Sequence, residues 1–140
     1  MSNDYRNSEG YPDPTAGEAI SRIAANEKQF LRAFRHIVYI CSPYSGDVEG
    51  NVAAARRYCR FAVDKGFIPI APHLLYPQFL DDDDADEREL GLFFGNALMS
   101  KCAEVWVFGS RISSGMEAEI KRAKWKGYHL RYFTEECQEV

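Results

Sequence analysis

The 140 residues carry 17 Lys and Arg against 21 Asp and Glu, a net charge of -4, and 46% of them are hydrophobic. That size and apolar content suit one ordinary domain with a real core. The acidic balance offers no broad basic surface for a nucleic-acid polymer, although backbone N–H groups could still bind a small anion. The N-terminus has no signal-peptide apolar region, and no apolar run reaches membrane-spanning length. Cys41, Cys59, Cys102 and Cys137 lack CxxC or zinc spacing, so they read as reduced thiols of a cytoplasmic protein.

Residues 1–14 are polar and carry Gly10, Pro12 and Pro14, the composition of a loose tail. Thr15-Ala16-Gly17-Glu18 has capping-box spacing and opens a helix expected through about Phe34. His36–Cys41 is short, β-branched and nearly all apolar, which suits a central parallel strand buried on both faces. Ser42–Asp47 reads as a turn. Glu49–Lys65 reads as a helix with Val52, Ala55, Cys59, Ala62 and Val63 on its buried side, ended by Gly66. In the second strand, Phe67–Ala71, Pro69 removes a ladder donor and predicts a free edge. Pro72–Leu80 reads as an aromatic, proline-bearing loop.

The acidic run Asp81–Asp86 opens a third helix, expected to about Lys101, because anionic side chains favour helix N-termini. Ala103–Phe108 is the third strand. Ser114–Lys126 is the next helix, with Ser114 and Glu117 at capping-box spacing. Tyr128–Phe133 is the fourth strand, and residues 135–140 form a short acidic tail after a domain expected over 15–134. Strands alternating with helices predict βαβ units, a parallel sheet and right-handed crossovers. Ligands of such sheets lie past the carboxyl ends of the strands. Three segments converge there: Ser42–Asp47, Pro72–Leu80 and Gly109–Glu119.

Ser42, Tyr44, Ser45, Gly46 and Asp47 offer hydroxyls, a phenol and a glycine-bearing backbone leading into a helix, suitable parts for a phosphate or sugar site. The segment is neither a Walker A loop nor GxGxxG, and a plain βα turn would look the same. Asn51 either supports that turn or reaches a ligand. His73 reads first as a packing or structural residue and second as an acid or ligand. Tyr76 and Phe79 could stack a planar base or cap the core. Asp81–Asp84 reads first as a solvated helix start rather than a metal loop. Asn96 is a polar amide among Phe93, Phe94, Ala97 and Leu98 and needs a partner if buried. Glu119 lies just past the cap of its helix, with no local structural role of the kind Glu117 has; it reads either as a functional acid or as an exposed surface acid of a good helix former.

In this order, Ser42-Pro43-Tyr44-Ser45-Gly46, Ala71-Pro72-His73-Leu74, Pro77-Gln78-Phe79-Leu80-Asp81, Glu87-Arg88, Glu104-Val105-Trp106-Val107-Phe108-Gly109, Ser114-Gly115-Met116-x-x-Glu119-Ile120 and Arg131-Tyr132 resemble the nucleoside 2-deoxyribosyltransferase-like superfamily. The likeness is to a small branch found in bacteria and their phages, over about residues 36–133. It implies a flavodoxin-like three-layer α/β fold with a central, mainly parallel sheet of four to five strands. It also implies hydrolysis or transfer at the N-glycosidic bond of a nucleoside or nucleoside monophosphate. Glu119, followed by Ala123, matches the superfamily's nucleophile, a carboxylate that attacks the anomeric carbon.

By the same resemblance, Ser42, Tyr44, Ser45, Gly46 and Asp47 would hold the sugar or its 5′-phosphate. Ser114, Gly115 and Met116 would shape the turn beside the nucleophile, and His73 with Tyr76 or Phe79 would close over the base. No metal or cofactor is implied, and a homo-oligomer is expected. Two positions depart from the pattern. Asn96 stands where better-studied members carry an Asp; it can contact the sugar but cannot exchange a proton. Glu117 replaces a Gly and is expected to raise the pKa of Glu119. The alternative within the fold is a nucleotide-binding or sensor module without turnover, and a third reading is an interaction domain using the aromatic loop.

Overall fold

A computed structural model describes residues 24–27 and 35–140. The chain divides into two compact units, residues 1–35 and 36–140. In the first, residues 24–27 are helical, while the expected tail over 1–14 and the capping box at Thr15 lie outside the described residues. The second unit runs β1 (Ile37–Cys41), α1 (Val48–Asp64), β2 (Ile68–Ile70), a short α2 (Pro72–Leu75) with a 3-10 turn over Tyr76–Gln78, α3 (Ala85–Met99), β3 (Glu104–Phe108), α4 (Ser114–Lys126) and β4 (His129–Phe133).

The sheet has four strands in the order β2-β1-β3-β4, and every pair is parallel. Its pleat sorts side chains by parity. Val38, Ile40, Trp106, Phe108 and Phe133 form one core with Tyr58 and Ala62 of α1. Tyr39, Cys41, Val105 and Val107 form another with Met99 of α3 and Met116 and Ala123 of α4. Right-handed crossovers require this split: the chain leaves β1 toward one edge through α1, then returns across the sheet through α3 and α4. The result is the α/β architecture expected, a three-layer fold with α1 on one face and α3 with α4 on the other.

Pro69 lies opposite Val38 on β2, which is an edge strand among the described residues. The missing N–H therefore costs no ladder bond. On α1, Ala55, Tyr58 and Ala62 are the buried residues. Val63, expected there, is 36% exposed. The stripe at spacings of three and four runs through Tyr58, whose ring stacks on Phe108 with centroids 4.2 Å apart. Aromatic contacts continue through Phe61, Trp106 and Phe133.

Residues 134–140 do not trail away. The Val140 N–H donates to the Tyr132 carbonyl at 2.9 Å, Phe133 and Glu139 form an antiparallel bridge, and Cys137 packs against the aromatic core. The chain's own end thus covers part of the exposed β4 edge.

Candidate active site

The site grows from the carboxyl end of β1. Gly46 has φ +96°, a turn conformation that glycine adopts without strain. Asp47 then caps α1, its Oδ1 accepting from the Gly50 N–H at 3.1 Å. Asn51 supports the turn, its amide donating to the carbonyls of Tyr44 at 2.9 Å and Ser45 at 3.1 Å. The turn so tied presents the Tyr44 ring to His73, stacked with centroids 5.1 Å apart and planes 25° off parallel.

His73 comes from the segment after β2. The sequence suggested a loop there, but Pro72–Leu75 is a helical turn followed by a 3-10 turn. The reason is local: Pro72 at the first helical position and Pro77 early in the 3-10 turn both have φ preset for helical geometry. Pro72 is buried and anchors the segment. Tyr76 packs edge-on to Phe79 at 5.9 Å and tilted against Phe94 at 5.3 Å. Phe79 itself is 61% exposed.

Glu119 stands on α4. The cap of this helix is Ser113, not Ser114: its Oγ accepts from the Met116 N–H at 3.3 Å. Ser114 is therefore the first helical residue, and the capping box proposed for Ser114 and Glu117 does not form, because Glu117 stands four residues after the true cap. From that start, Met116, Ile120 and Ala123 turn toward the sheet. Glu119, three residues after Met116 and four before Ala123, shares their inward stripe. Its side chain is 11% exposed, and its Oε1 lies 4.0 Å from His73 Nε2.

The two meet in a cavity of about 80 Å³ lined also by Tyr39, Tyr44, Tyr76, Asn96 and Arg88. Tyr39 reaches it because β1 alternates, turning residue 39 toward the α3 and α4 face. Room for its hydroxyl comes from Gly95, where a Cβ would stand 3.2 Å from the Tyr39 oxygen. Asn96, the next residue of α3, is half-buried on the same wall.

Burial pushes the Glu119 carboxyl up from 4.5 to about 7, and the Tyr39 phenol opposes that rise. Glu117, expected to cause it, is exposed to solvent and is not the source. Burial, with the Glu119 charge adding to it, drives the Tyr39 phenol far above its ordinary value, so it stays protonated. The same burial lowers His73, partly offset by Asp82. Cys41 is raised well above its ordinary value by burial and the Glu119 charge, so it is not a thiolate nucleophile. Near neutral pH the cavity therefore holds a carboxyl that changes charge easily and an imidazole that burial pushes toward its neutral form, beside a phenol that keeps its proton.

The remaining sequence candidates go elsewhere. Ser45, Gly46 and Asp47 line a second cavity of about 560 Å³ with Arg57, Arg111 and Ser113. Ser42 is 2% exposed and Met116 1% exposed, both in the packed interior. Ser114 and Gly115 are exposed at the start of α4 and line neither cavity. In the acidic run, Asp81 accepts from the Asp83 N–H and Asp84 caps α3, so these carboxylates serve backbone turns. Tyr39 and Gly95 went unremarked in the sequence; a tyrosine alternating inward in an aliphatic strand was the available signal.

No curated protein matches the chain. A solved structure of a 2-deoxyribosyltransferase from the psychrotolerant bacterium Bacillus psychrosaccharolyticus, a biocatalyst for nucleoside synthesis, is similar at 15% identity with a TM-score of 0.55. The match covers 70% of this chain and 72% of that one, a distant likeness of fold. By sequence, residues 36–133 match a family described as a domain of unknown function, DUF7768. That span is the whole β1–β4 unit, and the chain belongs to this family.

Proposed function

We propose that the protein is an enzyme of the nucleoside 2-deoxyribosyltransferase-like superfamily. It cleaves or transfers at the N-glycosidic bond of a nucleoside or nucleoside monophosphate, with Glu119 as nucleophile. One observation carries the reading: a carboxyl on the inward face of α4, 11% exposed, opens into a cavity past the strand ends beside His73 and Tyr39. Structural cores do not leave a lone buried carboxyl facing a cavity without cost, and perturbed carboxyls in clefts mark functional sites. The fold shared with a 2-deoxyribosyltransferase supports the same reading.

In this mechanism the ionised Glu119 attacks the anomeric carbon as the base departs. The resulting glycosyl ester is resolved by water or by a second base. The carboxylate also stabilises the oxocarbenium-like transition state. Tyr39 keeps the carboxylate accessible near neutral pH by opposing the effect of burial. Asn96 contacts the sugar, while Tyr44, His73 and Tyr76 surround the base. The Ser45–Gly46 turn, immediately beyond Tyr44, is the proposed seat of a 5′-hydroxyl or 5′-phosphate. A cavity of about 80 Å³ is smaller than a complete small-molecule pocket. A second copy of the chain covering its mouth is part of the proposal, supported by the exposed Leu75, Phe79, Leu92 and Phe93. Four free cysteines suit a reducing, cytoplasmic setting.

A second reading, binding without turnover, is favoured by Asn96, which cannot serve as the acid. The test is incubation with nucleosides and nucleoside monophosphates, with free base measured by chromatography and Glu119→Gln run in parallel. Base release abolished by the substitution supports the enzyme. Tight binding of intact ligand without release supports the module, and no binding of any member of the panel would sink both.

A further inference from the structure

An N-glycosidic bond breaks readily only if the departing base receives a proton, and Asn96 cannot provide one. We propose that His73 carries that proton, acting as acid for the departing base and as base for the water that follows. The inference rests on Glu119 being the nucleophile. Three observations converge on His73. Its Nε2 is 4.0 Å from Glu119 Oε1, beyond hydrogen-bond range and comparable with the separation of about 5 Å between paired carboxyls in retaining glycosidases. Its ring is stacked on Tyr44, which fixes the imidazole plane. It lies on a short helical segment anchored by buried Pro72 rather than on an open loop.

The other ionisable groups facing the cavity serve less well. Tyr39 on β1 holds its proton too tightly. Arg88 on α3 does not give up a proton. Glu87 of α3 accepts from the Asp81 N–H at 3.4 Å, and Asp82 is exposed at the rim. Tyr44 and Tyr76 are phenols suited to stacking.

The protons balance through one cycle. The Glu119 proton passes to neutral His73, across a bridging water or after a small side-chain rotation. The carboxylate oxygen bonds to the anomeric carbon as the carbon–nitrogen bond breaks, its electron pair leaving with the base. His73 returns its proton to the base nitrogen. In the second half His73 takes a proton from water, whose oxygen bonds to the anomeric carbon while the ester bond to Glu119 breaks. That proton then returns to Glu119. The sum is one water divided between base and sugar; in transfer, an incoming base takes the place of water.

The experiment compares His73→Asn with the native protein on two substrates of the same sugar: the nucleoside released best in the panel, and the 4-nitrophenyl glycoside, whose phenolate leaves without a proton. Compared at about pH 8, where Glu119, titrating at about 7, loses its proton to solvent without His73, release of the base is expected to fall by about 10²- to 10³-fold, with formation of the covalent intermediate from the nitrophenyl glycoside essentially unchanged. Free imidazole is expected to restore part of the loss in His73→Ala. Equal losses on both substrates, or no imidazole rescue, overturn the proposal while leaving Glu119 as nucleophile. Failure of the native protein to release any base overturns the enzyme reading and this inference with it. Should His73→Asn not fold, His73→Gln makes the comparison, and loss of the fold in both assigns His73 to structure alone.

Discussion

In an unfolded chain the Glu119 carboxyl titrates near 4.5, and burial in the folded protein moves it to about 7. A carboxyl shifted upward adds stability that is fully present below its unfolded value. That stability is lost as pH rises through the folded value, because the native state must then hold a buried charge. Glu119→Gln keeps the shape and removes the charge. It is expected to stabilise the protein at about pH 8 by on the order of 3 kcal/mol, with little change near pH 4. Urea unfolding at the two pH values measures this, and equal gains at both would show that charge is not the cause. Tyr39→Phe removes the group that opposes the shift, so Glu119 should titrate above about 7. The rising limb of the base-release pH profile is expected to move to higher pH; a limb that does not move argues against contact between phenol and carboxylate.

Helix ends decide where that carboxyl points. One residue of shift at the start of α4 distinguishes a Ser114 cap from the observed Ser113 cap. Ser113→Ala is expected to cost about 1 kcal/mol, and Ser114→Ala less than about 0.5 kcal/mol, as for an exposed first-turn residue. Denaturant midpoints of the two variants separate the alternatives, and a larger loss at Ser114 would contradict the observed cap. The segment after β2 makes the same point at a larger scale. Pro72 and Pro77 turn an expected loop into two tight turns, and these hold His73 against Tyr44. At Gly95, α3 approaches β1 closely enough that Gly95→Val should displace Tyr39, visible as a lower melting temperature and an altered pH profile.

For the whole molecule, the far side of the sheet is closed by an aromatic core and an ionic clamp. The Arg131 guanidinium lies 5.0 Å from the Trp106 ring centroid and donates to Glu104 at 3.2 Å and to Glu139 at 2.8 Å. Residues from β3, β4 and the chain end thus meet at one side chain. Arg131→Ala is expected to cost about 1–2 kcal/mol through lost ring and stem packing. The exposed pair Arg60–Asp64 on α1 provides the comparison, and Arg60→Ala should cost less than about 0.5 kcal/mol. Similar urea midpoints for the two variants would show that the clamp is only a surface pair.

By itself the sequence determined the alternation of strands and helices, the parallel sheet, the Pro69 edge and the convergence of three segments past the strand ends. These are written in local apolar period and turn residues, which need no knowledge of distant neighbours. Spacing alone leaves Glu119 readable as an exposed helix surface acid; the family resemblance, not periodicity, singles it out. Tertiary structure alone decided what stands beside it. The 4.0 Å approach of His73, the entry of Tyr39 through the β1 pleat and the room left by Gly95 depend on how α2, α3 and α4 pack on the sheet. The separation of Ser45, Gly46 and Asp47 into a second cavity also follows from that packing. A carboxyl's pKa depends on its burial and its neighbours in space, so the property that makes Glu119 a candidate nucleophile arises only once the chain has folded around it.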